Sequence, residues 1–286
     1  MVLICLLAVT ATGVTGLFAI MFQSRLATAQ QREQRLDEQV RNEMFALGWQ
    51  PPESDSLRAL SEQLRTRRGV EILHARTPFA VGLAHGPVAG HAADEGPLAA
   101  ATVVLVDELS LLPRSFLERA GLRRVMLCAE LREARRPIPS LPNYRNTLLL
   151  DAEASPSYLR RLIHHEVFHF ADLADDGVVL ADPGYRALTP PGFEYGSGGR
   201  TMRERSSSAF GEAPAGFVSR YATSAIEEDK AEVFAFLMTR PAAMDQLGRR
   251  DPVVAAKAAY VRMVVALLSD ELDEAFWRAV ARAPGR

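Results

Sequence analysis

The feature that most constrains this 286-residue chain is an HExxH motif, formed by His165, Glu166 and His169 within a segment of helical character. Side chains four residues apart lie on one face of a helix, about 5–6 Å apart, so the two imidazoles can share one metal ion. Glu166 projects beside the same face and can act as general base toward a water bound to that metal. The motif therefore predicts half of a catalytic zinc site.

The residues around the motif have the signals of a helix with defined ends. Ser155 is a natural N-cap, and Pro156 is favoured at the first helical position. Apolar residues recur at helical spacing through the next four turns. The segment Asp175–Gly177 then provides a polar stop that contains glycine. We expect the helix to run from Pro156 to about Asp172 or Ala174.

A catalytic zinc ion needs a third protein ligand. Asp172 lies three residues after His169, and we expect it to orient a histidine ring rather than to bind the metal. No histidine follows His169, so the third ligand must be a downstream carboxylate. Glu228 and Glu232 are the best candidates, because they flank an apolar stripe of helical period in residues 225–238. An acidic first turn favoured by the helix dipole would explain the same residues.

These motifs and their order are similar to those of a peptidase family. HExxHxxD, a long irregular insertion, and a Tyr-x6-Glu-x-x-x-Glu pattern opening a second helix resemble the zinc peptidase domain of anthrax lethal factor and related bacterial gluzincin-type metallopeptidases. The resemblance covers about 90 residues, from 150 to about 240. It implies a Zn²⁺ ion held by His165, His169 and Glu228. Lys230 is the main local departure from the pattern, and we expect it to point to solvent.

The resemblance also implies a reaction, the hydrolysis of a peptide bond in a protein or peptide substrate. Zinc would lower the pKa of its bound water to about 7, and Glu166 would take the proton and deliver it to the leaving amine. Tyr221 would donate a hydrogen bond to the developing oxyanion, although its spacing fits a half-buried packing residue equally well. The alternative is a catalytically silent zincin fold that serves as a membrane-anchored binding or scaffold module. The intact Glu166 favours the enzyme.

The fold class expected is α+β, with a small mixed sheet, the HExxH helix and a second ligand helix in a zincin-like domain over residues 69–286. Three short apolar segments predict the strands: Thr102–Val106, Arg124–Cys128 and Asn146–Asp151. A short helix over Pro113–Gly121 separates the first two. The last strand precedes the HExxH helix, and it is either a core strand or the strand along which an extended substrate binds.

The rest of this domain is expected to contain loops and C-terminal helices. Residues 177–216 are rich in Gly, Pro and Ser and predict a loop on the substrate side of the site. Residues 84–100 predict a loop or linker, and residues 253–281 predict one or two packed helices. Three histidines are expected to be ordinary surface or loop residues with no metal: His74, His85 and His91.

The N-terminal residues predict an attachment to a membrane. Residues 1–22 have no charged side chain and are long enough to span the hydrocarbon core, so we expect a transmembrane anchor or an uncleaved signal. We expect residues 23–68 to form a helical juxtamembrane spacer after it. A cleavage-like triplet that ends at Ala29 would instead release a secreted protein. The arginines that follow the apolar run favour a cytoplasmic body. We nevertheless expect the domain on the extracytoplasmic face.

Composition excludes some functions and leaves others open. The net charge of −2 gives no reason to expect binding to nucleic acid. The two cysteines, Cys5 and Cys128, lie in an apolar run and in a predicted strand, so no disulfide framework is expected. The sequence gives no indication of the oligomeric state.

Overall fold

The computed structural model describes residues 31, 32, 34–83, 86–177, 182–202 and 205–283. The chain divides into two units, residues 1–47 and residues 48–286. In the first unit, residues 34–46 form helix α1. The predicted membrane-spanning segment, residues 1–22, lies outside the described residues. Within the described ranges no single helix has the length and hydropathy of a membrane span. The helices Glu95–Leu109 and Arg114–Ala120 meet these criteria only when they are taken together, and the bend between them is 105°.

The second unit combines a mixed sheet with helices and is an α+β structure, as predicted. Its strands are β1 (Trp49–Gln50), β2 (Glu71–Ala75), β3 (Phe79–Leu83), β4 (Gly86–His91), β5 (Arg124–Glu133), β6 (Arg136–Pro137), β7 (Ser140–Tyr144) and β8 (Thr147–Asp151). Its helices are α2 (Asp55–Arg68), α3 (Glu95–Leu109), α4 (Arg114–Ala120), α5 (Pro156–Asp176), α6 (Pro183–Arg186), α7 (Ile226–Thr239), α8 (Pro241–Arg250), α9 (Pro252–Leu268) and α10 (Glu274–Arg282).

Strand β5 is the centre of the open sheet, because both of its halves are paired on two sides. Its first half lies between β2 and β8, which run parallel to it, and its second half pairs with the antiparallel strands β4 and β6. Residues Val125–Cys128 of β5 are fully buried, and a continuous apolar run is typical of a parallel strand covered on both faces. The predicted strand Arg124–Cys128 is therefore confirmed.

The helix with the HExxH motif has the predicted start and a longer end. Helix α5 begins at Pro156 after Ser155 and ends at Asp176, and the next residue, Gly177, adopts a left-handed conformation with φ of 76°. A residue without Cβ is favoured at such a position. The predicted helices at Pro113–Gly121 and residues 253–281 are also confirmed, as α4, α9 and α10.

Two predictions for residues 84–109 are wrong. Thr102–Val106 lies within helix α3 and not in a strand. The buried residues of α3 include Leu98, Thr102, Leu105 and Leu109, which follow helical spacing, so the core packing of this segment overrides its β-branched composition. Residues 84–100, predicted as a loop, contain β4 and the start of α3.

The expectation that His74 is a surface or loop residue is also wrong. It lies in β2 with 1% of its surface exposed, and its Nε2 is 3.2 Å from the Thr102 hydroxyl of α3. Burial, assisted by the charge of Arg76, lowers the pKa of His74 to about 4, so this residue is a neutral core histidine. His91 lies in β4 with its side chain partly exposed, and His85 lies outside the described residues.

Helices α5 and α7 pack against each other, and this contact places the two predicted ligand segments side by side. Phe234 of α7 is the centre of their apolar contact, with its ring centroid 5.5 Å from that of Phe168 on α5 and 6.2 Å from that of Phe116 on α4. Burying aromatic side chains of this size contributes a large part of the packing energy of such a core.

Candidate metal centre

His165, His169 and Glu228 bring three ligand atoms together. The Nε2 atoms of the two histidines are 3.2 Å apart, and Oε2 of Glu228 lies 3.0 Å from Nε2 of His165 and 3.5 Å from Nε2 of His169. Among the residues that the structure describes, these three form the one group of His, Cys, Asp or Glu with the spacing of a metal site. Helix α5 supplies both imidazoles, and the first turn of α7 supplies the carboxylate.

This arrangement fits a tetrahedral zinc ion with one open position. Zinc–ligand bonds of about 2.0–2.1 Å put the ligand atoms of a tetrahedral site about 3.3 Å from one another. The three observed separations lie between 3.0 and 3.5 Å, on either side of that value. Two imidazoles and one carboxylate also suit other divalent ions of the first transition row, so the donor set alone does not select zinc.

Glu232 lies behind His165, on the side away from the other ligands. Its Oε1 accepts from Nδ1 of His165 at 3.0 Å and is paired with Arg161, while its Oε2 accepts a 2.7 Å hydrogen bond from the Ser219 hydroxyl. A carboxylate on Nδ1 fixes the proton there and leaves the Nε2 lone pair for a metal. The sequence left Glu228 and Glu232 as alternatives for the third ligand. In the fold Glu228 lies against Nε2 of both histidines, and Glu232 lies against Nδ1 of His165.

Burial and charge act in opposite directions on these groups. Burial lowers the pKa of His165, but hydrogen bonds with Glu228 and Glu232 outweigh it and raise this pKa to about 10. Burial alone would raise the pKa of Glu228, yet its bonds with His165 and His169 hold that pKa well below the usual range. Both shifts favour the charged forms, so the imidazole of His165 and the carboxylate of Glu228 attract each other across the centre.

Asp172 and Lys230 differ from what the sequence suggested. Oδ1 of Asp172 accepts a 2.5 Å hydrogen bond from Nζ of Lys230, and its Oδ2 has no hydrogen-bond partner in the described part of the chain. Asp172 thus binds an ammonium group and does not orient a histidine ring. The expectation that Lys230 points to solvent is wrong as well, because it is 1% exposed. Its charge is stabilised by Asp172 and by Asp182, at 3.2 Å.

Glu166 lies beside the ligands with one oxygen held and one oxygen available. Its Oε1 accepts a 2.6 Å hydrogen bond from the hydroxyl of Ser140 on β7. Its Oε2 is buried and has no hydrogen-bond partner among the described residues. Buried carboxylate oxygens are normally paired, and an unpaired one indicates a missing water or ligand. Sequence reasoning missed Ser140, because no spacing rule connects it with a glutamate 26 residues later.

Tyr221 lies in a 3-10 turn, Tyr221–Thr223, just before α7. Its ring centroid is 5.7 Å from that of His165, and it lines the same cavity as Glu166. Burial and the negative charges of Glu228 and Glu166 raise the pKa of the phenol, so its hydroxyl keeps the proton that a hydrogen-bond donor needs.

A cavity of about 290 Å³ opens onto these residues. One wall is β7 with the residues before it, and the other is the face of α5 that includes Tyr158 and Leu162. Strand β8, the predicted strand Asn146–Asp151, pairs on both sides with β5 and β7 and is a core strand. The candidate for strand-like substrate binding is therefore β7, which has β8 as its one paired neighbour among the described strands.

The segment between α6 and α7 lies close to the ligands. A Cβ atom built on Gly199 would be 2.2 Å from both Oε1 of Glu228 and the hydroxyl of Tyr221. Such distances are far inside van der Waals contact, so only glycine allows this approach. Arg200, the next residue of this segment, forms a 2.5 Å ion pair with Glu133 at the end of β5. Gly199, Arg200 and Met202, in the irregular region predicted at residues 177–216, thus line the site.

Comparison with protein-family models, with curated proteins and with solved structures finds no match for this chain. The similarity to gluzincin-type peptidases therefore rests on the motifs and their spacing alone.

Proposed function

We propose that this protein is a zinc-dependent peptidase of the gluzincin type, with His165, His169 and Glu228 as metal ligands. The observation that supports this most is the position of Glu228, whose Oε2 is 3.0 Å from one imidazole Nε2 and 3.5 Å from the other. When bound, zinc would supply a Lewis acid and a water of lowered pKa. The same site contains a carboxylate with an unpaired oxygen, Glu166.

Glu166 would act as the proton carrier. Its free Oε2 would accept a proton from the attacking water and then deliver it to the nitrogen of the leaving amine. The hydrogen bond from Ser140 occupies the other oxygen and so fixes which one faces the reaction. Tyr221, protonated and lining the same cavity, would donate a hydrogen bond to the oxygen of the scissile carbonyl as its negative charge develops.

The substrate would be a peptide or protein segment in extended conformation. Strand β7 lines the cavity and pairs with one neighbour among the described strands, so its other edge offers main-chain hydrogen bonds. Addition of a strand to a sheet edge recognises a peptide mainly through its backbone. With residues 1–22 as a membrane anchor, the substrates would be proteins or peptides at the extracytoplasmic face of a membrane.

The test is metal-dependent hydrolysis of a peptide library by the full-length protein, read by mass spectrometry, with the Glu166→Gln variant as the matched control. We expect wild-type cleavage to stop on chelation and return with zinc, and the variant to bind zinc normally while losing at least about 100-fold of the rate. Equal zinc binding with no cleavage by either protein would support the scaffold alternative. Cleavage that is independent of Glu166 would contradict the proposal.

A further inference from the structure

The two lysines of this chain, Lys230 and Lys257, are both buried, with exposures of 1% and 0%. Lysine normally extends its ammonium group into water, and it is almost never buried without a charge partner. Lys257 pairs with Asp229 at 2.6 Å, and Lys230 pairs with Asp172 at 2.5 Å. Asp229 and Lys230 directly follow Glu228 on α7, so both ion pairs start within two residues of the proposed third ligand.

The ion pair of Lys230 connects the two helices that supply the metal ligands. Lys230 is two residues after Glu228 on α7, and Asp172 is three residues after His169 on α5. Their charged atoms are 2.5 Å apart, so the pair joins these helices within about one helical turn of the metal centre. A shift of α7 along α5 would change this contact together with the distances from Glu228 to the two imidazoles.

The second partner of Lys230, Asp182, is held in place by other elements. Its Oδ1 accepts hydrogen bonds from the Tyr260 hydroxyl of α9 at 2.8 Å and from the backbone N–H of Tyr185 at 2.9 Å. Its Oδ2 accepts from Lys230 at 3.2 Å. The ammonium group is therefore fixed from two sides, by α5 through Asp172 and by the start of α6 through Asp182.

A buried ion pair of this kind contributes more to geometry than to stability. The cost of removing two charges from water offsets most of their attraction, and apolar replacement of a buried pair is often neutral or stabilising. The charge-assisted hydrogen bond within the pair nevertheless has a narrow range of favourable distances and angles, and it favours one relative position of the two helices. A metal centre benefits from this, because its ligand atoms must be placed within a few tenths of an ångström.

We infer that Lys230 is a positioning residue for the metal centre. Through Asp172 it sets the position of α7 relative to α5, and thereby that of Glu228 relative to His165 and His169. This inference rests on the metal centre of the proposed function and is independent of peptide hydrolysis.

The experiment compares full-length wild-type protein with the double variant Lys230→Met/Asp172→Leu, in which both charges are replaced by apolar groups of similar size. We expect the metal-free variant to unfold within a few degrees of the wild type, and its Kd for zinc to rise about 10–100-fold, as for other residues that support metal ligands. Competition with a chromophoric chelator measures the Kd. The visible spectrum of the Co²⁺ form, which reports ligand geometry, should change as well.

The control is His74→Phe/Thr102→Val, which replaces another buried polar pair, between β2 and α3, and should leave the Kd and the Co²⁺ spectrum unchanged. Wild-type zinc affinity and spectrum in the Lys230 double variant would overturn the inference and leave the proposed function intact. A wild-type protein that binds neither metal would overturn both. If the double variant does not fold, Asp172→Asn, which keeps the size of the side chain and leaves Lys230 paired with Asp182, is read in the same assays, with the same results supporting or overturning the inference.

Discussion

The hydroxyl of Ser140 donates a 2.6 Å hydrogen bond to Oε1 of Glu166, and it thereby links β7 to the residue proposed as general base. β7 also lines the cavity, and among the described strands it pairs with β8 alone. A substrate bound along that edge would contact the same strand that orients the carboxylate. The position of a bound substrate and that of the proposed base would therefore be coupled through β7.

Replacing Ser140 by alanine should slow hydrolysis without loss of metal. A hydrogen bond to a charged group contributes about 1.5–3 kcal/mol, so we expect kcat to fall about 10–100-fold, because Glu166 loses its fixed orientation. KM and zinc content should change little. Steady-state kinetics with a cleaved peptide, combined with metal analysis, measures all three. An unchanged kcat would show that Ser140 does not orient the base.

Replacing Gly199 by alanine should damage the site more than the fold. The new Cβ would lie 2.2 Å from both Oε1 of Glu228 and the Tyr221 hydroxyl, so either these groups or the segment must move. We expect zinc affinity and kcat to fall at least about tenfold, with thermal stability nearly unchanged because both neighbours are side-chain ends. Gly96→Ala, which adds a Cβ in open space in α3, is the control. Wild-type affinity and kcat in Gly199→Ala would contradict this account of the segment.

Substitution of Glu232 distinguishes a residue that orients His165 from a residue that binds the metal. Glu232→Gln keeps the size of the side chain but removes the charge that stabilises His165 and Arg161. We expect zinc to bind about 10–100-fold more weakly, without loss of stoichiometry at saturating metal. Titration with a competing chelator tests this, with Glu227→Gln as a control on the same helical turn. Complete loss of zinc binding would instead assign Glu232 as a ligand.

The stability of the metal-free protein should depend on His165 at alkaline pH. Its pKa is raised from 6.5 to about 10 in the fold, so its contribution to stability is complete below pH 6.5 and is lost as the pH rises through 10. We expect the free energy of unfolding in chelator to fall by a few kcal/mol over this range. His165→Asn should lack this component, and zinc should suppress it. Equal pH profiles for the wild type and His165→Asn would refute the shift.

The helix with the metal motif could be predicted because its signals are local. Ser155, Pro156 and Gly177 set its ends by rules that involve only neighbouring residues. The segment Thr102–Val106 was predicted wrongly because its local signals are ambiguous. A short apolar run of this kind fits either a strand or a buried helix. Only the length of the run and its flanking residues distinguish the two structures. Asp94 before α3 and Pro97 in its first turn are typical of a helix start and indicated the helix.

The residues that complete the site could not be predicted in the same way. Lys230 was expected in solvent because a sequence does not show that Asp172 and Asp182 lie beside it, 58 and 48 residues away. Strand β7 contains Pro142, which weakens any prediction of a strand, although proline is compatible with the edge position that β7 has. Long-range partners, and not local pattern, determine these features.

The zinc content of the full-length protein after dialysis, for the wild type and for Glu228→Ala, tests the three-ligand metal centre itself. We expect one zinc per chain in the wild type, near-complete loss in Glu228→Ala, and retention in the neighbouring variant Glu227→Ala. A wild-type chain without zinc, or a Glu228→Ala chain that retains it with wild-type affinity, would contradict the three-ligand centre.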